Sequence, residues 1–154
     1  MKHQRIRLIP PALVMVLFAI AMWFLAILFP VSLFKTEPHA LFPLLMIAVG
    51  LLVILLCAAT FIRKKTTLNP IRPESTTILI SSGLYQYSRN PIYLGFVIIL
   101  AGWGMYLNNI PALLLIAGFI FYMDRFQIEL EEQLLSQIFG DQFEIYKRSV
   151  RRWL

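Results

Sequence analysis

The feature that most constrains this chain is an unbroken run of 34 uncharged residues from Asn90 to Met123. One straight helix of that length would be about 50 Å long, whereas the apolar core of a bilayer is about 30 Å thick. The run therefore has to fold back on itself. Turn-forming residues followed by a proline, N-N-I-P at 108–111, mark the place. They predict a hairpin of helices over 91–107 and 111–126.

Two further uncharged runs precede this hairpin, 27 residues over 8–34 and 25 residues over 38–62. Each exceeds the roughly 20 residues that a helix needs to cross a bilayer, and they predict antiparallel helices over about 11–30 and 41–62. The first run is too long for a signal-peptide core, so we expect its helix to be retained. With 59% hydrophobic and 14% charged residues, the composition is that of an all-α integral membrane protein with four transmembrane helices.

The basic residues predict the orientation of these helices. With four crossings, 13 of the 14 lysines and arginines fall on one side of the membrane and only Lys35 on the other. The positive-inside rule makes that side cytoplasmic, so both termini are expected in the cytoplasm. Because the basic residues lie in short segments between apolar runs, the net charge of +6 points to the lipid bilayer as partner and not to nucleic acid.

The length suits one domain over 1–154, with a two-helix part over 1–62 and a site-bearing part over 83–154. The single cysteine, Cys57, allows no internal disulfide and no cysteine metal site. The two histidines are predicted on opposite sides of the membrane, so no metal is expected.

The stretch Gly83 to Gly95, G-L-Y-Q-Y-S-R-N-P-I-Y-L-G, lies where a polar segment meets the third uncharged run. Asn90 and Pro91 are typical of a helix start, with asparagine at the cap and proline at the first helical position. The free N–H groups of such an end favour an anion. Two interpretations are open for the tyrosines at 85, 87 and 93, since they either anchor the chain at the interface or wall a site for a cation.

A second polar signal lies in the C-terminal segment from Asp124, which predicts a helix ending at Gly140 and then a shorter one through Tyr146. Residues 126–139 of the first helix have one broad apolar arc. Glu131 falls inside this arc and Glu132 at its edge. A carboxylate there is costly without a partner. The partner is either Arg125 or Arg89, in an ion pair that holds the helix down, or a cationic group of a ligand, and periodicity does not separate the two.

These two signals together resemble a known pair of motifs. The stretch Gly83–Gly95, followed 36 residues later by E-E-Q-L-L-S-Q-I-F-G-D-Q-F-E-I-Y, is similar to the motifs of the isoprenylcysteine carboxyl methyltransferase and phospholipid methyltransferase superfamily. Those motifs read roughly G-x-Y-x-x-x-R-[HN]-P-x-Y-x-G and E-E-x-x-L-x-x-x-F-G-x-x-Y-x-x-Y. The chain departs from the better-known members at Asn90, where they have histidine, and at Phe143, where the pattern has tyrosine.

The resemblance implies S-adenosylmethionine as cofactor, bound at the cytosolic face by the C-terminal part. Arg89 and Glu132 are the catalytic candidates. The implied cofactor-binding residues are Tyr85, Arg89, Asn90, Pro91, Tyr93, Leu94, Gly95, Glu131, Glu132, Phe143 and Tyr146. Aromatic faces suit the sulfonium, a glutamate suits the ammonium, and Arg89 or the helix start suits the carboxylate.

The expected activity is methyl transfer to a carboxylate, amine or thiol of a lipid-like or small hydrophobic acceptor. Two alternatives belong to other classes: a non-catalytic membrane scaffold of the same fold, and a fold-related membrane reductase. The double-glutamate motif favours the methyltransferase over the reductase.

Overall fold

A computed structural model describes residues 9–34, 40–64 and 78–154, and its regular structure is helical. The α-helices are α1 Pro11–Leu28, α2 Leu41–Arg63, α3 Pro91–Tyr106, α4 Ile110–Tyr122, α5 Glu129–Phe139 and α6 Asp141–Ser149. A 3₁₀ helix, Gly83–Gln86, precedes α3, and a π-helical turn, Met123–Ile128, joins α4 to α5. The N-terminal basic residues, Lys35 and the proline-containing segment 65–77 lie outside the described residues.

Helices α1 and α2 carry the clearest membrane signal. They have 18 and 23 residues and are long and apolar enough to cross a bilayer, yet only 11% and 17% of their apolar windows are buried in the protein. A soluble protein rarely leaves so much contiguous apolar surface in water. The described chain is thus all-helical with two candidate membrane spans, as expected of an all-α membrane protein. Helices α3 and α4 have 16 and 13 residues, and the predicted count of four crossings stays a prediction.

The predicted hairpin turn is present between α3 and α4. Asn108 has a φ of 49°, a left-handed conformation that asparagine tolerates better than most residues. The Asn109 side chain caps α4, since its oxygen accepts a hydrogen bond from Ala112 N at 2.9 Å. Its amide group donates to the Phe29 carbonyl at 2.7 Å, and this bond ties the turn to the end of α1.

Glycines allow α2 and α3 to pack closely. A Cβ atom added at Gly50 would lie 2.7 Å from the Gly95 carbonyl oxygen, and one added at Gly102 would lie 2.7 Å from the Pro43 carbonyl oxygen. Only glycine permits this approach of the two backbones. Around this pair, α1 packs against α4 and α3. The fully buried core residues of this cluster include Met22, Leu100, Phe119 and Met123.

The chain reverses direction twice near its C-terminus. Helix α4 continues through the π-helical turn into α5, which ends before Gly140, where a φ of 50° favours glycine. Helix α6 then runs to Ser149, three residues beyond the predicted end at Tyr146. The last residues, 150–154, return to the start of α3. The N-terminal end of α3 therefore lies against both α5 and the C-terminal segment.

Candidate functional site

A cavity of about 170 Å³ lies where the start of α3, the helices α5 and α6 and the end of α2 converge. Most of the site residues predicted from the sequence line it. These are Tyr85, Arg89, Asn90, Tyr93, Glu131, Glu132, Phe143 and Tyr146. The fold thus brings the two sequence motifs into one wall.

Three of the predicted site residues lie outside this wall. Pro91 is buried at the first position of α3, and Leu94 N donates to the Asn90 carbonyl at 3.1 Å within the first turn. Gly95 faces α2, because a Cβ atom there would lie 2.7 Å from Ile54 Cγ1. These residues shape the helix start and its packing, and the structure shows no contact between them and the cavity.

Glu131 is held by neutral donors. The Tyr93 hydroxyl donates to Glu131 Oε1 at 2.6 Å, and Gln127 Nε2 donates to the same oxygen at 2.5 Å. Burial raises the pKa of Glu131, although both hydrogen bonds act against that rise. No lysine or arginine of the described residues forms an ion pair with it. Arg125, one of the partners considered above, pairs with Glu129 instead, at 2.6 Å.

Glu132, by contrast, is the carboxylate that forms ion pairs. Its Oε1 lies 3.0 Å from Arg89 Nη2, and its Oε2 lies 2.6 Å from Arg152 Nη2. The hydrogen bonds to Glu132 raise the pKa of Arg152. Of the two interpretations left open for the glutamates, an ion pair therefore holds for Glu132, while Glu131 keeps its carboxylate on the cavity wall.

Arg89 has one buried nitrogen atom without a hydrogen-bond partner in the described structure. Its Nη1 donates to the Lys147 carbonyl at 3.2 Å and its Nη2 pairs with Glu132. Its Nε is buried and has no hydrogen-bond partner among the described residues. A buried donor left unpaired costs free energy.

The predicted helix start is confirmed, with Asn90 at the N-cap position of α3. Helix α3 does start at Pro91, but the Asn90 side chain makes no capping bond. Its Nδ2 donates to the Arg152 carbonyl at 3.0 Å, and its backbone N–H donates to Ser88 Oγ at 3.1 Å. The reason lies in the tertiary structure, since the C-terminal segment brings a free carbonyl within reach of the amide.

Aromatic rings form much of the remaining wall. The Tyr146 hydroxyl donates to the Tyr85 carbonyl at 2.7 Å, and the ring of Tyr85 packs edge-on against Phe61 of α2. Burial raises the pKa of Tyr85 and raises that of Tyr146 to about 12, so both rings are neutral near pH 7. Phe143 is almost fully buried in this wall. Tyr87 is 70% exposed and does not line the cavity.

Several wall residues were not predicted from the sequence. The apolar ones are Phe61, Ile78, Leu79, Ile80, Ile92, Leu134, Leu135, Ile138 and Phe139. The residues of α5 had a signal in the apolar arc. Gln127, which holds Glu131 without lining the cavity, had one in its four-residue spacing from Glu131. Nothing in the local sequence marks Phe61 or Arg152, which reach the site from distant parts of the chain.

Comparisons with known proteins show the family of this chain. The model of the family described as phospholipid methyltransferase matches residues 38–142. The chain belongs to this family. It is 43% identical over 63 residues to an uncharacterized protein of Haemophilus influenzae. The aligned residues are 41% of this chain and all of that protein.

Other relatives carry a function in their names. A protein-S-isoprenylcysteine O-methyltransferase of Schizosaccharomyces pombe is 36% identical over 73 residues, covering 47% of this chain and 31% of that protein. Protein-S-isoprenylcysteine O-methyltransferase B of Arabidopsis thaliana is 33% identical over 109 residues, covering 71% of this chain and 55% of that protein. The chain thus spans about a third to a half of these relatives. No solved structure matches it.

The predicted superfamily is confirmed, and the predicted enzyme class, a methyltransferase, is that of the family and of the named relatives. The matched range contains the start of α3, helix α5 and most of the cavity wall. It ends before Phe143, so the C-terminal segment that contacts Asn90 and Glu132 lies beyond it.

Proposed function

We propose that the protein transfers a methyl group from S-adenosylmethionine to a lipid-like or small hydrophobic acceptor at the cytosolic face of the membrane. Glu131 is the observation that carries this proposal. Its carboxylate lines a cavity with aromatic walls, is held by two neutral donors and has no ion pair with a described residue. Such a site suits a cationic ligand, because the carboxylate and the ring faces both attract positive charge.

The donor set fits S-adenosylmethionine group by group. Glu131 would hold the ammonium, and the faces of Tyr85 and Tyr93 would lie against the sulfonium. The guanidinium group of Arg89, which lines the cavity, would donate to the carboxylate. When bound, the cofactor supplies an electrophilic methyl group on its sulfonium.

In this proposal the chain contributes mainly alignment and exclusion of water. Arg89 and Glu132, the two catalytic candidates, form a buried pair that keeps the guanidinium fixed at the cavity wall. Apolar residues of α5 close another side of the cavity. Methyl transfer to a good nucleophile depends strongly on alignment, so a rigid, apolar cavity suits it.

The acceptor is proposed to be lipophilic because one part of the cavity wall is apolar. Phe61 and residues 78–80 form this part, and the side chains of Ile78 and Ile138 are also exposed at the surface. The reacting group of the acceptor would be a carboxylate, an amine or a thiol. The family description and the names of the relatives support lipids and prenylated cysteines as acceptor classes.

The membrane topology belongs to the same proposal. We place four crossings in the bilayer, α1, α2, α3 and α4 with its π-helical continuation, and both termini in the cytoplasm. The charge bias of the sequence supports this orientation. Residues 1–62 and 83–154 would then form one domain, in which Phe61 is the contribution of the first part to the cavity.

Calorimetric titration of the full chain in detergent tests the cofactor. We expect wild type to bind S-adenosylhomocysteine and sinefungin, a stable analogue of the methyl donor. Glu131→Gln should weaken sinefungin binding at least about tenfold, since it removes a charge-assisted bond. Glu129→Gln is the matched control on the same helix, because Glu129 pairs with Arg125 at the exposed surface. Wild type that binds neither ligand would exclude the proposal.

Labelled S-adenosylmethionine and a membrane lipid extract test the acceptor. The expected result is a labelled lipid-soluble product with wild type and about tenfold less with Glu131→Gln at subsaturating cofactor. Cofactor binding without a product in any extract would favour the scaffold, and binding of a nicotinamide nucleotide would favour the reductase.

A further inference from the structure

The C-terminal segment is built into the site by its backbone. Arg89 N donates to the Arg151 carbonyl at 3.0 Å, and Asn90 Nδ2 donates to the Arg152 carbonyl at 3.0 Å. Ser88 Oγ donates to the same Arg152 carbonyl at 3.4 Å. Residues 88–90, which lead into α3 and of which Arg89 and Asn90 line the cavity, are therefore held by the end of the chain.

The side chain of Arg152 reaches the same site from outside the cavity. It donates to both oxygens of Glu132, from Nη2 to Oε2 at 2.6 Å and from Nε to Oε1 at 3.2 Å. Its Nη1 lies 3.5 Å from Asp124 Oδ1, and Trp153 Nε1 donates to that same oxygen at 3.1 Å. These bonds fix the guanidinium in one position.

Glu132 therefore lies between two guanidinium groups. Arg89 approaches it from the aromatic cavity, whereas Arg152 lines a separate polar depression on the other side of Glu132. The Glu132 side chain is only 10% exposed, while that of Arg152 is 36% exposed. Arg152 acts on the cavity through Glu132, without lining the cavity itself.

This arrangement sets the charge that a ligand meets. Among the described residues, the charged side chains that line the cavity are Arg89, Glu131 and Glu132, which sum to one negative charge when both carboxylates are ionised. Arg152 adds one positive charge directly behind Glu132. S-adenosylmethionine carries a net charge of +1 because of its sulfonium, whereas its product S-adenosylhomocysteine is neutral overall. A charge beside the cavity therefore changes the affinity for the donor more than the affinity for the product.

We propose that Arg152 is a positioning residue of this site: it holds Glu132 against Arg89, and its charge sets the balance of affinity between the cationic methyl donor and the neutral product. This inference rests on the proposed function, since it concerns the same ligands. It assigns a task to a C-terminal segment that the family match does not include.

The test is a titration of the full chain with sinefungin, whose net charge is +1, and with neutral S-adenosylhomocysteine. Arg152→Gln should weaken S-adenosylhomocysteine binding and shift the ratio of the two affinities about threefold to tenfold towards sinefungin. Arg152→Lys keeps the charge and should keep the ratio, although it loses the two-pronged contact with Glu132. Arg148→Gln is the control, because Arg148 is exposed on α6 and has no ion pair with a described residue.

The possible outcomes separate the two proposals. If Arg152→Gln weakens both ligands by the same factor, the residue is only a structural contact and the inference is overturned. Unchanged affinities for both ligands would overturn it as well. In either case, a loss of binding in Glu131→Gln would leave the proposed function standing. If wild type binds neither ligand, the proposed function fails and the inference fails with it.

Discussion

Two regions hold this protein together by different means. The seam is the close contact of α2 and α3 at Gly50, Gly95 and Gly102, and the network is the set of contacts that Arg89 and Arg152 make with Glu132. At the seam, glycines let two apolar helices touch backbone to backbone, and the atoms nearest to these glycines belong to the backbone and to apolar side chains. Around Glu132, the contacts are ion pairs and hydrogen bonds between residues distant in sequence. The seam depends on shape and is sensitive to added volume, whereas the network depends on charge and is sensitive to loss of a partner.

The largest effect is expected when Glu132 loses its charge. Glu132→Gln leaves Arg89 and Arg152 facing a neutral amide, and breaking a buried pair in this way should lower the free energy of unfolding by about 3 kcal/mol. Thermal unfolding of wild type and variant in detergent measures this loss of free energy of unfolding. Glu129→Gln is the control, since its pair with Arg125 is exposed and should contribute less than about 1 kcal/mol. Equal losses in the two variants would show that charge does not stabilise the network.

A smaller loss is expected at the seam. Gly50→Ala places a Cβ atom 2.7 Å from the Gly95 carbonyl oxygen, so the helices have to move apart, at a cost of about 1–3 kcal/mol. Gly118→Ala is the matched control, because the nearest atom to its added Cβ is Phe18 Cε1 at 3.7 Å. The same unfolding assay compares them. If both alanines are tolerated equally, close backbone contact is not what holds α2 to α3.

The smallest effect has the opposite sign. Glu131→Gln keeps an acceptor for Tyr93 and Gln127 and removes the cost of ionising a buried carboxyl. We expect the unliganded variant to gain up to about 1 kcal/mol in free energy of unfolding at neutral pH, although it binds the cationic ligand less well. This combination of higher stability and weaker binding would distinguish Glu131 from Glu132.

The pH dependence of stability sharpens the distinction. Burial raises the pKa of Glu131 above the usual value, so the native state keeps its proton to a higher pH than the unfolded chain does. Protonation of Glu131 therefore stabilises the native state. This contribution is complete below the pKa of Glu131 in the unfolded chain, about 4.3, and is lost as the pH rises through its pKa in the native state. The advantage of Glu131→Gln in thermal midpoint should therefore grow with pH and disappear in acid. A constant difference at all pH values would contradict the raised pKa.

Local patterns in the sequence were enough to predict where the helices α1, α2 and α3 begin. The start of α1 and the starts of α2 and α3 lie at the predicted residues, and the turn at 108–111 follows from a run too long for one crossing. The paired motifs were also enough to locate most of the cavity wall. The partners within the wall were not predictable in the same way, because hydrogen bonds such as Tyr93 to Glu131 depend on how α3 lies against α5.

By itself, the sequence determined an all-α chain with helices apolar enough to cross a membrane, because hydrophobic periodicity and uncharged runs are local properties, and its two motifs resemble those of the phospholipid methyltransferase superfamily. Only the tertiary structure decided which glutamate forms ion pairs and which has none with the described residues. Glu131 and Glu132 are adjacent in the chain, but a helix turns about 100° per residue. One carboxylate therefore meets Tyr93 and Gln127, and the other meets two arginines, one of them from the C-terminal segment, whose return to α3 no local pattern indicates.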